Sequence, residues 1–323
     1  MFDWFSHRRY GKYREIPFSQ DKTGLLMRDS EPRASHSKEF NMQPRELTIT
    51  TPHLAFSALE WGNPAARPVL ALHGWLDNAA SFTPLAPMLK GIRLIAVDLA
   101  GHGLSQHRPE GFSYDIWHYV EDLVYIAEAL DLEQFGLLGH SMGGIIATLA
   151  ASSVLKEQVV ALVTIDGLFP WPRKPEDAPV SLMKYINERR TPLDKLPVAR
   201  YRSRQQAVRA RAMSQFKVSR ESSSLLVDRS LRQDGDGWVW TSDPRLKLGS
   251  PTRFTLEQTL AFPQAVTCPA QMIHADQGEI HDTIEQFRDR LPNFQFHSLS
   301  GSHHLHMDGP VDVIANIAST VLA

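Results

Sequence analysis

Gly139-His140-Ser141-Met142-Gly143 spells G-x-S-x-G, with the apolar run F-G-L-L-G-H leading into it and a second apolar run leading out. That setting suits a nucleophile. A sharp strand-to-helix turn strains the serine backbone, and glycines on either side remove side chains that would clash. The hydroxyl is then pushed out at a helix N-terminus, where the dipole favours developing negative charge. A serine of this kind needs a base. G-S-H-H-L-H-M-D-G-P, residues 301–310, follows the last strand-like run and offers His303, His304 and His306. His303 comes first, in a Gly-Ser turn able to aim it inward, and is the expected base. His304 is the runner-up, and His306 reads as a helix-start or packing residue. The carboxylate that orients the imidazole has two candidates, Asp166 at the end of V-V-A-L-V-T-I-D and Asp276 after A-Q-M-I-H-A. Both stand at strand C-termini, where sheets of this class place their sites. An oxyanion needs two backbone N–H groups; Met142, directly after the serine, and Trp75, after L-A-L-H-G, are the candidates.

These residues must be held by elements that the hydropathy pattern makes legible. R-E-L-T-I-T and L-A-F-S-A-L-E-W-G alternate and read as a hairpin. P-V-L-A-L-H-G, I-R-L-I-A-V-D, F-G-L-L-G-H, V-V-A-L-V-T-I-D, A-Q-M-I-H-A and F-Q-F-H-S-L read as further strands, the first four continuous apolar runs of the kind buried on both faces. Helices are predicted over 79–90, 114–130, 143–155, 281–290 and 310–322. Strands alternating with helices after an antiparallel start predict an α/β fold with a mostly parallel eight-stranded sheet flanked by helices. The rhythm breaks over 168–262, which carries proline clusters and helical polar segments and is too long for a connecting loop. The expected domains are a poorly ordered tail at 1–43, a core at 44–167 and 263–323, and a helical cap inserted at 168–262. Met27 and Met42 offer alternative starts.

Composition narrows the function. Hydrophobic residues at 42% and charged residues at 22% are ordinary for a soluble protein. Apolar runs are too short for a bilayer span, and the tail has neither an apolar signal core nor the acid-poor character of a transit peptide. A single cysteine, Cys268, excludes an internal disulfide and a cysteine-rich zinc site; a cytoplasmic setting is expected. No Walker loop appears, no G-x-G-x-x-G follows a strand, and the histidine triplet has no evident acidic partners in sequence, so no cofactor and no metal are expected. Residues 172–256 hold 18 Lys and Arg against 9 Asp and Glu, in a chain of net charge −2. Such excess usually marks solvated helix faces, and it can also steer an anionic substrate. No nucleic-acid module accompanies it, so nucleic acid is not an expected partner.

The residues together resemble the α/β-hydrolase family over about 45–322. H-G-W-L-D-N-A-A-S-F (73–82), D-L-A-G-H-G-L-S (98–105) and G-H-S-M-G-G (139–144) are most similar to the serine hydrolase-like proteins within it. The resemblance implies a Ser141 nucleophile and a His303 base; Asp308 and Pro310 follow that histidine as the family pattern implies. Many relatives carry the acid three residues after a glycine closing the seventh strand, and here that position is Gly278. Other branches place it at the end of the sixth strand, which favours Asp166 over Asp276. In D-L-A-G-H-G-L-S the resemblance implies a structural turn, without a catalytic role for Asp98. A serine at the elbow argues against dehalogenase or epoxide hydrolase chemistry, which uses aspartate there.

The expected activity is hydrolysis of a small-molecule carboxylic ester through an acyl-enzyme, with Trp75, Trp117, Phe169 and Trp171 as candidate walls of an acyl pocket. The alternatives are a carbon–carbon bond hydrolase or lyase acting on an anionic substrate, and a binding protein with an incomplete triad.

Overall fold

The computed structural model describes residues 43–278 and 280–323. The tail expected at 1–43 therefore lies, apart from Gln43, outside the described residues.

An eight-stranded sheet runs through the molecule in the order β1-β2-β4-β3-β5-β6-β10-β11. Its strands are β1 (Arg45–Thr50), β2 (Ala55–Gly62), β3 (Arg67–Leu72), β4 (Ile92–Val97), β5 (Phe135–His140), β6 (Val159–Ile165), β10 (Ala270–Ala275) and β11 (Phe294–Leu299). β1 and β2 pair antiparallel, as do β2 and β4; every other pair in this sheet is parallel. The continuous apolar runs are explained by burial on both faces. In β3, Leu70 and Leu72 join one core cluster while Val69 and Ala71 join another on the opposite side. The first cluster takes in α1 (Ile116–Ala129) and α2 (Met142–Ala151), and the second takes in α9 (Val311–Leu322). α1 turns Tyr119, Leu123, Ile126 and Ala127 inward, the helical spacing of a single buried stripe. Truncating one such side chain, Leu123→Ala, would cost about 2–5 kcal/mol.

Two stretches depart from the sequence reading. Residues 79–90 form two short 3-10 turns, Ala79–Phe82 and Ala86–Met88, in place of the predicted helix. Pro84 and Pro87 lie in this stretch and remove the N–H donors that an α-helix needs. The helix predicted to reach 155 ends at Ala151, where the Ser152 and Ser153 hydroxyls donate to the Leu149 carbonyl and so compete for the ladder.

The segment 168–262 enters after β6 and is not purely helical. It contains α3 (Ala178–Arg189), α4 (Arg204–Ala212), α5 (Arg220–Ser230) and α6 (Leu256–Gln264). It also holds a three-stranded antiparallel sheet of β7 (Arg200–Tyr201), β8 (Leu231–Asp234) and β9 (Gly237–Trp240). Strands this short leave no apolar run to read; the D-G-D-G turn between β8 and β9 was their one local mark. After β10 come α7 (His281–Phe287) and α8 (Leu305–Asp308), the latter just ahead of α9. Among the described residues no helix is long and apolar enough to cross a membrane.

Candidate active site

β5 is buried along its whole length and delivers Ser141 to the C-terminal edge of the sheet. Ser141 has φ +51°, in the left-handed region, and α2 begins at the next residue. The two glycines are sterically required. A Cβ on Gly139 would lie 2.4 Å from the Gly143 carbonyl oxygen, and one on Gly143 would lie 1.9 Å from that of Leu72. Gly167, which the sequence reading passed over, packs just as closely on the Ser141 backbone.

His303 arrives from the turn after β11. Its Nε2 lies 2.9 Å from Ser141 Oγ and its Nδ1 lies 2.6 Å from Asp166 Oδ2. A carboxylate only accepts, so Nδ1 carries the hydrogen and Nε2 of the neutral ring is left as acceptor for the serine hydroxyl. The His303 carbonyl is held by His140 Nε2 at 2.9 Å, so the x of the elbow motif anchors the loop that carries the imidazole. Burial, and the neighbouring imidazoles of His306, His303 and His304, push His140 well below the usual histidine range; it is a neutral donor.

Asp166 follows β6 directly and has φ +47°. Its side chain is wholly buried, with Oδ1 accepting from the Ala275 N–H at 3.0 Å and Oδ2 facing His303. Asp276 goes elsewhere: it is exposed and accepts from the Gly301 N–H at 3.1 Å, bracing the turn ahead of His303. At Gly278 an added Cβ would lie 2.9 Å and 3.1 Å from the two Asp166 carboxylate oxygens. The space an acid would fill at 278 is the space the Asp166 carboxylate occupies, and two buried carboxylates so close would not both ionise.

Trp75 lies in the turn Gly74–Asp77 after β3, closed by an Asp77 N–H to Gly74 carbonyl bond of 3.1 Å. Leu76 in this turn has φ +62°. Four described non-glycine residues have positive φ, and three of them, Leu76, Ser141 and Asp166, belong to this site. Strain held in place by packing concentrates where function does. Met142 is the first residue of α2, so its N–H has no partner within the helix.

Beneath this constellation lies a group that sequence reading missed. Asp77 accepts from Arg211 of α4 at 2.5 Å, and His304 Nε2 lies 3.0 Å from its other oxygen. Burial alone would raise the Asp77 pKa, but the charges of His304 and Arg211 outweigh it and hold the carboxyl well below its ordinary range. Arg211 also donates to the Phe216 carbonyl at 2.9 Å, and the Phe216 ring packs on His303 with centroids 4.4 Å apart. His306 is buried against the His140 ring at 4.1 Å, a packing role. Asp98 is equally structural: it accepts from the Ala79 and Leu104 N–H groups and from Arg229. Asp77, His140 and His304 are close enough to share a metal ion, as are His274, His281 and Glu285. The first group already has the Arg211 guanidinium as its cation. Asp77 is the acidic partner that the histidine triplet lacked in the linear reading, brought from far along the chain.

Two cavities meet at Ser141, and a third shares wall residues with both. One of about 80 Å³ is walled by Ile145, Phe169, Trp171, Phe216 and Ile284. A second, of about 190 Å³, contains the Trp75 turn, Ser141, Phe216 and His303. The third, of about 500 Å³, shares Ile145 and Trp171 with the first and Trp75 with the second, and Trp117 and Met142 also line it. All four candidate wall aromatics thus face these spaces.

A family model described as alpha/beta hydrolase fold matches residues 67–310. A zebrafish (Danio rerio) serine hydrolase-like protein is 31% identical over 264 residues, covering 77% of this chain and 80% of that one. The crystal structure of a hypothetical protein from Pseudomonas aeruginosa PAO1 superposes with a TM-score of 0.80 at 40% identity, covering 85% of this chain and 97% of that one. The thioesterase domain of the curacin biosynthetic pathway has a TM-score of 0.75 at 23% identity, covering 85% of this chain and 99% of its own, and shares the fold.

Proposed function

The chain belongs to the α/β hydrolase fold family, among the serine hydrolase-like proteins, and from that premise we propose that it hydrolyses a carboxylic ester through a serine acyl-enzyme. The observation that carries this is the unbroken hydrogen-bonded line Asp166–His303–Ser141. Ser141 Oγ attacks the ester carbonyl as His303 Nε2 takes its proton. Asp166 holds the imidazole in the required tautomer and stabilises its charged form. The tetrahedral oxyanion is met by the Met142 and Trp75 N–H groups. His303 then returns the proton to the departing alkoxide, leaving the acyl group on Ser141. Water then gives a proton to His303 Nε2 as its oxygen bonds to the acyl carbon; the bond from that carbon to Ser141 Oγ breaks, His303 returns the proton to Oγ, and the carboxylic acid leaves. Residues 168–262 act as the cap, contributing Phe216 and Trp171 to the walls around the reacting carbon. The reading as an incomplete binding protein rested on Gly278, and Asp166 within 2.6 Å of His303 supports the catalytic reading instead.

The experiment is fluorophosphonate labelling of purified protein read by intact mass, with turnover of 4-nitrophenyl esters alongside. One adduct on wild type and none on Ser141→Ala is the expected result. Asp166→Asn should lower kcat by about 10⁴ while Asp276→Asn stays within about tenfold of wild type. An unlabelled, folded wild type would bring the binding-protein reading to the front.

A further inference from the structure

Two groups among the basic residues of 172–256 differ in their partners. Arg211, Arg229 and Arg245 reach Asp77, Asp98 with Glu46, and Asp243. Arg173, Lys247 and Arg253 have no carboxylate partner among the described residues, yet all three line the 500 Å³ cavity that shares Ile145 and Trp171 with the pocket at Ser141. The lone acid in that wall, Glu188, is already occupied: it accepts from the Gly249 N–H at 2.8 Å and lies 3.7 Å from Lys184. Arg173 and Arg253 also line a neighbouring cavity of about 340 Å³, whose wall includes Asp177, so both residues are shared by the two spaces.

Resting on the ester-hydrolase reading, we propose that this cavity binds an anionic group, carboxylate or phosphate, carried by the substrate away from its reacting carbonyl. Three like charges around one space repel each other until an anion enters. Trp117 and Phe254 form an apolar wall on the same cavity, which concentrates the field inside it. Guanidinium groups present a planar fork of donors that pairs with two oxygens of a carboxylate or a phosphate. At the other end, the 80 Å³ pocket has room for only a short apolar group. The substrate is therefore polarised, with a small apolar portion at Ser141 and a larger anionic portion toward Arg173, Lys247 and Arg253.

The test uses two matched substrate pairs on the full chain. The 4-nitrophenyl half-ester of adipic acid is compared with its neutral methyl ester, placing the charge on the acyl side. 4-Acetoxybenzoate is compared with methyl 4-acetoxybenzoate, placing it on the leaving group. Within each pair the neutral ester is the internal reference, so partial misfolding of a variant cancels. In wild type one pair should favour the anion by about tenfold or more in kcat/KM, the sum of several individually weak screened attractions. That ratio should fall to within about twofold of unity in the Arg173→Gln/Lys247→Gln/Arg253→Gln variant and shrink in high salt. Which pair responds identifies the side that bears the charge. Ratios at or below unity in both pairs, with Ser141 labelled by fluorophosphonate, overturn the anionic substrate and leave the hydrolase standing. So does a preference that survives the triple variant. Failure of both labelling and turnover removes the hydrolase reading, and this proposal with it.

Discussion

Two sets of arginines in the same inserted segment do opposite things. On the side facing the sheet, Arg229 is almost fully buried and bridges Asp98 and Glu46, while Arg211 closes on Asp77. On the side facing the large cavity, Arg173 and Arg253 are exposed and find no carboxylate. The first set is bound into the structure by desolvated pairs whose removal strands a buried charge. The second set costs the fold little to lose and is free to meet a ligand. A surplus of basic residues, counted along the chain, thus contains two sets with different physics, beside exposed pairs such as Arg200 with Asp234 and Arg204 with Asp228.

The comparison can be broken most easily at Arg229. Arg229→Met would leave Asp98, with no exposure at all, without its cation. Urea denaturation should show a loss of about 3–5 kcal/mol; a loss below about 1 kcal/mol would mean that the pair is not structural. Arg211→Met comes next, at about 2 kcal/mol, because Asp77 keeps His304 as a partner. It should also lower kcat/KM on neutral and anionic esters alike, by roughly 10- to 100-fold through slack in Phe216 and the Trp75 turn. An effect on anionic esters alone would place Arg211 in the second set.

Acid sharpens the contrast further. The folded-state pKa of Asp77 is depressed, so its contribution to stability is fully present above the unfolded carboxylate value, about 3.9, and is lost as pH falls through the folded one. Wild type should therefore lose stability below about pH 4 more steeply than Asp77→Asn, read as midpoints of thermal unfolding. Equal slopes would sink the assignment. The smallest effect belongs to the cavity residues: Arg173→Gln or Arg253→Gln should change stability by no more than about 0.5 kcal/mol, with no change in that acid slope.

Much of this protein is legible before folding. Sheet strands show because burial on both faces demands unbroken apolar runs, and the serine shows because its turn demands glycines on both sides. The stretch 79–90 folds as two short turns and not as the predicted helix, because Pro84 and Pro87 remove donors from the ladder. The small sheet of 168–262 was missed because strands of two to four residues carry no period. Asp77 stood inside a quoted motif, but its partners Arg211 and His304 lie 134 and 227 residues away, so nothing local marked it.

The choice between Asp166 and Asp276 is the same lesson at the site. Both end strands that neighbour one another in the sheet, since β6 pairs with β10 and β10 with β11. Chain order does not say which carboxylate the His303 turn will face. What the sequence determines by itself is everything set by local sterics and burial period: the sheet strands, the elbow and the histidine turn. Which carboxylate meets His303, and which arginines are paired and which left bare, is decided only in three dimensions. Charge interactions act through space, and folding alone sets those distances.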